Sequence, residues 1–314
     1  MEFVYSLLPR FQNESIECRV KLVLGLNVAH WTTPLHDVTK LLSEAYALGM
    51  ETCDLVSAFW AAYFYHEDAF YAGSKLVLLA HDAEVYSKQM IDYGMLNHLK
   101  NLENIQEAIS QLQGHSEANF ATENITANQG LLNHFCHHTT DQLRVLSFFG
   151  EWERCAELGS AYVELINKVL MGQYSSVASR FLTSLACFVT AGQDRAARKK
   201  YLGVAMKNLK FIRIWSGNKN PNTQHYLRLL RAEKSNCRGK SEKASSLYKE
   251  AIRLAGRRGF IHDQALALER HAAFYVRTGD AVSAKYCLDD AKKLYEEWGA
   301  TKKVEKLVEQ IALL

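Results

Sequence analysis

Apolar residues recur with the period of an α-helix along almost the whole chain, and this pattern limits the fold more than any other feature. The clearest stripe along one helical face is Ala244, Leu247, Tyr248, Ala251, Ile252 and Ala255. No segment alternates strictly between apolar and polar residues, and no Asn-Gly or Asp-Gly turn marks a hairpin. Only three prolines interrupt the 314 residues, whereas about 5% is usual. The sequence therefore predicts an all-α fold with almost no strand.

Glycines punctuate these stripes near the ends of the periodic segments. They are Gly73, Gly114, Gly150, Gly192, Gly239 and Gly279, at intervals of 36 to 47 residues. A left-handed glycine commonly caps a helix, and a repeat of this length holds two helices and two turns. We therefore predict a right-handed α-solenoid of tetratricopeptide-like helical hairpins with about fourteen helices. The predicted helices are 14–30, 34–49, 54–72, 74–93, 95–113, 128–149, 151–171, 173–191, 194–214, 221–238, 240–258, 261–278, 281–298 and 301–312.

Residues 1–314 are predicted to form a single helical-repeat domain. The polar, aperiodic segment 114–127 leaves open a division into two sub-arrays, residues 1–113 and 128–314. The longest mainly apolar run, residues 55–65, is shorter than the roughly 18 residues that span a bilayer, so no membrane segment is expected. The seven cysteines are odd in number, scattered and never spaced as Cys-x-x-Cys. Because this usage is typical of buried thiols in a reducing compartment, we expect a cytoplasmic protein.

Two segments near the carboxyl end carry the small-residue spacing of tetratricopeptide repeats, Ala-x-x-x-[Phe/Tyr]-x-x-Ala. The residues are Ala244, Tyr248 and Ala251 in one helix and, with leucine at the aromatic position, Ala284, Leu288 and Ala291 in another. Small residues allow helices to pack closely, while the larger residue fills the groove between turns. Trp298 and Gly299 follow at the end of the second helix, where the tryptophan is expected to pack the last turn.

Several further motifs support a resemblance to a known family. They are Trp31, Pro34 and Leu35; Glu51, Thr52 and Asp54, with Cys53 where the family has glycine; Leu247, Tyr248, Ala251, Ile252 and Ala255; Phe260, Ala265, Leu266 and Ala267; Phe274, Tyr275 and Gly279; and Tyr295, Trp298, Gly299, Ala300, Lys303 and Val304. The chain resembles the tetratricopeptide-like helical region found C-terminal to the predicted P-loop (AAA/STAND-type) ATPase module of large multidomain serine/threonine kinases and hybrid sensor histidine kinases. The family's Pro-Glu-Asn element survives only as Pro221 and Asn222, and Arg270 stands where a small or apolar residue is usual.

No motif for catalysis or for phosphate binding accompanies this resemblance. The sequence has no Gly-x-x-x-x-Gly-Lys-[Ser/Thr] loop, no His-Arg-Asp and no Asp-Phe-Gly. We therefore expect a non-enzymatic protein-interaction or scaffold module without a cofactor, whose partner, by the resemblance, would be an ATPase or kinase module of the same signalling system. The alternatives are a regulatory fragment of a multidomain ATPase or protein kinase and an RNA-binding helical repeat.

The net charge of +3 conceals a strong asymmetry along the chain. Residues 1–193 carry a net charge of −10, residues 194–243 carry +11, and residues 244–314 carry +2. We predict that the basic helices 194–214 and 221–238 form a partner-contact face. Its candidate residues are Arg195, Arg198, Lys199, Lys210 and Arg213, which lie within about 120° on one helical face. A solvated face that meets the acidic half of the molecule is the alternative, and nucleic acid is a poorer fit because no base-reading module is present.

Two local patterns invite a chemical interpretation. The first consists of the potential metal ligands His134, Cys136, His137 and His138. On a helix the cysteine points away from the three histidines, so we predict a hydrogen-bonded or solvent-facing cluster and no metal. The second is Cys155, whose neighbours Glu153 and Glu157 are expected to raise the pKa of its thiol and keep it unreactive.

Overall fold

The structure, a computed structural model, describes residues 14–117, 129–193, 196–217 and 219–314. These ranges hold fourteen α-helices, a 3₁₀ turn (Ala29–Trp31) and no strand. The helices are α1 (Glu14–Asn27), α2 (Leu35–Glu51), α3 (Leu55–Ala72), α4 (Leu76–Asp92), α5 (Leu96–Gln113), α6 (Gln129–Phe149), α7 (Trp152–Val169), α8 (Tyr174–Gln193), α9 (Arg198–Gly217), α10 (Gln224–Cys237), α11 (Ser241–Arg257), α12 (Ile261–Thr278), α13 (Ala281–Trp298) and α14 (Thr301–Ala312). The predicted all-α helical-repeat fold is confirmed.

Helices adjacent in the chain pack against each other, as hairpins joined by short turns do. Gly73, Gly114 and Gly279 end α3, α5 and α12 in the left-handed conformation, with φ between +82° and +86°. Gly192 differs from this prediction, because it lies inside the last turn of α8 and its φ is not positive. The helix ends instead at the next residue, Gln193.

The small-residue stripes pack inward. The residues Ala244, Tyr248 and Ala251 on α11 and Ala284, Leu288 and Ala291 on α13 are all buried. Trp298 is fully buried at the end of α13, and its Nε1 donates to the carbonyl oxygen of Ser74 at 3.1 Å. Gly299 follows with a φ of +95°, which lets the chain turn sharply into α14.

Two helices, α3 and α8, lie inside the array. Of the 18 residues of α3, 14 are buried, and of the 20 residues of α8, 18 are buried. This position explains the apolar run at residues 55–65, which is enclosed by other helices. One cluster of buried apolar side chains extends from Ala29 to Leu307. The division into two sub-arrays stays a prediction, since residues 118–128 lie outside the described ranges.

The array curls until its first hairpin meets loops and helices of its second half. Asn222, before α10, is fully buried and binds this junction through its side chain. Its Oδ1 accepts from Leu35 N at 3.0 Å, and its Nδ2 donates to the carbonyl oxygens of His30 at 2.7 Å and Thr33 at 2.9 Å. The hydroxyl of Tyr174 donates to the carbonyl oxygen of Asn222 at 3.0 Å. The two motifs that contain Pro34 and Asn222 therefore meet in space.

Aromatic contacts extend the same junction. The ring centroids of Trp31 and Trp215 lie 5.6 Å apart, and those of Phe70 and Trp298 lie 6.0 Å apart. The two pairs join α3 and the turn before α2 to α9 and α13, so the hairpins close on one another. None of the helices in the described ranges is long and apolar enough to cross a membrane.

Candidate functional site

The predicted contact face on α9 is only partly reproduced. Lys199, Lys210 and Arg213 are exposed on this helix, whereas Arg195 lies outside the described residues. Arg198, the first residue of α9, is half-buried. The structure thus leaves three of the five predicted residues accessible together on α9.

Arg198 is a correction to that prediction because its guanidinium turns toward two other helices. Its Nη1 donates to the carbonyl oxygen of Ala191 at 3.0 Å, and its Nη2 donates to that of Cys237 at 2.6 Å. These carbonyls end α8 and α10, where the partial negative charge of a helix terminus favours a cation. Arg198 therefore holds two helix ends together rather than completing the exposed face of α9.

Basic side chains of three helices and of the turn after α10 form what we call the basic surface: Arg213, Arg231, Lys234, Arg238 and Lys243. Partial burial and the charges of the other four members lower the pKa of Lys234. Partial burial and the nearby Arg228 and Arg213 likewise lower the pKa of Arg231. Lowered values of this kind mean that like charges lie close enough to repel one another. The structure thus gathers part of the +11 segment into one electropositive surface.

Carboxylates do not neutralise this surface. Within the described ranges, none of its five members has a carboxylate oxygen within 4 Å. Two of the carboxylates nearby in sequence are bound elsewhere, Glu250 to Arg228 at 2.8 Å and Glu233 to Arg270 at 2.8 Å, although the charge of Glu250 still acts on Arg231. An anionic partner would therefore relieve the repulsion among these basic side chains.

The exposed large apolar residues beside the basic surface on α9 are not aromatic. Met206 and Ile214 are exposed on α9 beside Lys210 and Arg213. The tyrosines of these three helices, Tyr201, Tyr226 and Tyr248, are buried. Single-stranded nucleic acid is bound largely by stacking of bases on exposed aromatic rings. On these three helices the tyrosines are therefore closed to stacking, whereas Phe211 and Trp215 of α9 are half-buried.

A second set of ionisable side chains is buried between α3 and α6. The hydroxyl of Tyr63 donates to Glu67 Oε1 at 3.2 Å, and His137 Nδ1 lies 2.8 Å from the same oxygen. Glu67 is 2% exposed and His137 is 4% exposed. These three side chains join the two helices by hydrogen bonds that water cannot reach.

Arg144 of α6 is inserted into the same interior. Its Cζ lies 3.9 Å from the ring centroid of Phe70 and 3.6 Å from that of Tyr71, and its Nη2 lies 3.7 Å from Asp141 Oδ1. Burial raises the pKa of Asp141 to about 6 and raises that of Asp68 well above its ordinary value. Because these groups are closed to solvent, we assign them to helix packing rather than to substrate chemistry.

The four potential metal ligands near residue 136 are separated by their contacts. His137 binds Glu67, and a side-chain nitrogen of His134 lies 3.3 Å from Asn104 Nδ2. His138 Nε2 lies 3.0 Å from Gln142 Nε2, and Cys136 is buried. Within the described residues, no group of three or more histidine, cysteine or acidic side chains could hold a metal ion.

The pKa of the Cys155 thiol is raised for a different reason from the one predicted. Burial raises the pKa of its thiol to about 12, and the neighbouring Glu153 and Glu157 do not contribute. Its sulfur lies 3.3 Å from Ser147 Oγ. All seven cysteines are free thiols.

Arg270, an unusual residue for the resembled family, has a clear role. Its Nε donates to Glu233 Oε1 at 2.8 Å, and its Cζ lies 5.1 Å from the ring centroid of Trp152. Sequence reasoning noted Arg270 only as a departure from the resembled family and missed Arg277, although the two are seven positions apart and therefore share a face of α12. Two arginines at that spacing on a helix with many buried residues were the signal that could have identified them as site residues.

Comparison with known proteins assigns no family to the chain. No family model matches the chain, and no curated protein matches it.

Proposed function

We propose that this chain is a non-catalytic protein-interaction module that binds an acidic protein surface through the basic surface on α9, α10 and α11. The grouping of five basic side chains with no carboxylate oxygen within 4 Å among the described residues carries the proposal, and burial together with nearby like charges lowers the pKa of Lys234 and of Arg231. Like charges held together by a fold cost stability, and a complementary acidic partner removes that cost on binding. Such a surface also accelerates encounter with the partner.

The class of partner follows from the family resemblance rather than from the basic surface. The relatives in that family place a helical region of this kind after an ATPase module, within kinases of signalling systems. We propose that the partner is such an ATPase or kinase module, on a separate chain or within the same polypeptide. A Walker loop encoded in frame and upstream would support a regulatory fragment of a larger enzyme. The free thiols of all seven cysteines suit the reducing cytosol, where we place the interaction.

Charge reversal on exposed residues tests this proposal. Lys210→Glu with Arg213→Glu reverses two charges on the accessible part of α9, and Arg213 is also a member of the basic surface. Both side chains are exposed, so neither substitution removes a buried contact. We expect affinity capture from native cytosol, read by mass spectrometry, to recover the partner with the parent chain and at least tenfold less of it with the double variant. Titration of the purified partner should reproduce that loss and show a weaker dependence on salt.

The matched control carries the same charge change on the acidic half of the chain. Lys88→Glu with Lys100→Glu replaces two exposed lysines on α4 and α5. This variant should bind like the parent, and far-ultraviolet circular dichroism should show equal helicity for all three proteins. Equal recovery of the partner by both double variants would contradict the proposal. Recovery of RNA in place of protein, with steep salt dependence, would favour the RNA-binding alternative.

A further inference from the structure

A cavity of about 570 Å³ lies where α8 and α10 end beside the second half of α12. Phe188, Val189 and Ala273 form its apolar wall. Three arginines from two helices also line it: Arg198 at the start of α9, and Arg270 and Arg277 on α12. The volume is in the range of pockets that enclose small ligands.

Two of the three guanidinium groups are fixed in place by the protein. Arg198 is held through Nη1 and Nη2 by the carbonyl oxygens that end α8 and α10. Arg270 is held through Nε by Glu233, which is buried. An arginine has five N–H donors, so each residue keeps donors beyond those that position it. Groups held in this way need little ordering when a ligand binds.

Arg277 supplies a charge that the protein leaves unpaired. It is exposed, and within the described ranges it has no carboxylate oxygen within 4 Å. Its Cζ lies 5.5 Å from the ring centroid of Phe274, on the same helix. Among the described residues that line the cavity, Glu233 is the single carboxylate against three guanidinium groups. These described side chains together carry an excess of about two positive charges.

Asn236 adds a hydrogen-bond acceptor to a cavity whose arginines supply donors. It lines the same cavity, and its side-chain Oδ1 is buried without a hydrogen-bond partner. A buried acceptor without a donor is costly unless a ligand or water supplies one. The cavity thus presents donors for an anion, an acceptor for a hydroxyl or N–H group, and an apolar wall.

We propose that this cavity binds a small anion that carries at least two carboxylate or phosphate groups and one hydrogen-bond donor. Guanidinium groups bind both kinds of anion through paired hydrogen bonds. The anionic groups lie against Arg198, Arg270 and Arg277, and the donor faces Asn236. This site is separate in residues and in ligand from the basic surface.

Titration of the full chain with citrate and with pyrophosphate, at constant ionic strength, tests the site and distinguishes the two anion chemistries. We expect saturable binding of at least one probe by calorimetry and a higher unfolding midpoint in its presence. Arg277→Gln should weaken that binding at least tenfold, because it removes one of the guanidinium charges that line the cavity. The variant should still fold, since Arg277 is exposed. Gly192→Leu should weaken it as well, since this glycine lines the cavity and an added Cβ lies 3.9 Å from Cys237 Sγ.

Arg258→Gln is the matched control, because this exposed arginine precedes α12 and lies at its opposite end from Arg277. It should bind both probes as the parent does. Binding of citrate alone would identify a carboxylate ligand, and binding of pyrophosphate alone a phosphate ligand. The proposal is overturned if neither probe binds above a sodium chloride control, or if Arg277→Gln and Gly192→Leu both bind as tightly as the parent.

Discussion

Helices α3 and α11 are nearly equal in length but differ in their surroundings. Of the 18 residues of α3, 14 are buried, whereas only four of the 17 residues of α11 are. The four are Ala244, Tyr248, Ala251 and Ala255, which form one stripe. α11 is an outer helix with one packed face, and α3 is an inner helix that other elements enclose on nearly every side.

The difference shows what helical periodicity can and cannot reveal. A stripe identifies the packed face of an outer helix, because its remaining faces must be polar. An inner helix has no such face, so polar residues such as His66, Glu67 and Asp68 are buried beside apolar ones. Glu67 finds its partner, His137, on another helix, and periodicity along one helix does not encode that contact.

The largest expected effect compares a buried position with an exposed position on the same helix, α13. Trp298→Ala should lower the free energy of unfolding by about 4 kcal/mol, because it empties a fully buried site and removes the hydrogen bond to Ser74. Tyr286→Ala, at a position 70% exposed on the same helix, should change it by less than about 0.5 kcal/mol. Urea denaturation followed by circular dichroism measures both. A loss for Trp298→Ala as small as the one expected for Tyr286→Ala would mean that the inner junction does not stabilise the fold.

The next effect concerns the ionisation of an inner histidine. Burial lowers the pKa of His66 to about 4, so between that pH and its ordinary value near 6.5 the unfolded chain binds a proton that the folded chain excludes. Above pH 6.5 this histidine therefore does not reduce the free energy of unfolding, and below that pH it reduces the free energy of unfolding progressively until the pH reaches about 4. Burial of Asp141 acts in the opposite direction, since its raised pKa favours the folded chain at lower pH.

Replacing His66 isolates its contribution from the others. Relative to the parent, His66→Phe should gain about 3 kcal/mol in unfolding free energy when the pH falls from 7 to 4, measured by urea denaturation at each pH. The exposed His81 provides the control variant His81→Phe on α4. If His66→Phe and the parent lose stability in parallel, His66 is not excluded from protonation in the folded chain.

The smallest effect lies at the turn that leads into the inner helix. Cys53 has a φ of +58°, a left-handed conformation that side chains with a Cβ adopt at a cost, and it stands where the resembled family has glycine. Cys53→Gly should therefore raise the free energy of unfolding by about 0.5 kcal/mol. Cys287→Gly, inside α13, should lower it by about 1 kcal/mol or more. A loss of stability in Cys53→Gly would show that its conformation carries no strain.

The local structure was predictable because it depends on residues close in sequence. The stripes and most of the glycines gave the helices and their ends, including the left-handed cap at Gly279. The sites depend on residues far apart in sequence. Arg198 is three residues from Arg195 on a basic segment, but its role is set by carbonyls at positions 191 and 237. The high pKa of Cys155 likewise follows from burial by the fold and not from its neighbours in sequence.

The junction at Asn222 also bears on how the chain reaches this structure. In an open repeat protein each unit touches only the next, so folding can begin anywhere and spread. Here hydrogen bonds join residues 187 positions apart at Leu35 and Asn222, and 224 positions apart at Ser74 and Trp298. Such distant pairs form only after much of the backbone between them is ordered, which slows the search for the final arrangement. We therefore expect slow, all-or-none folding, in which removal of any one hairpin destabilises every other.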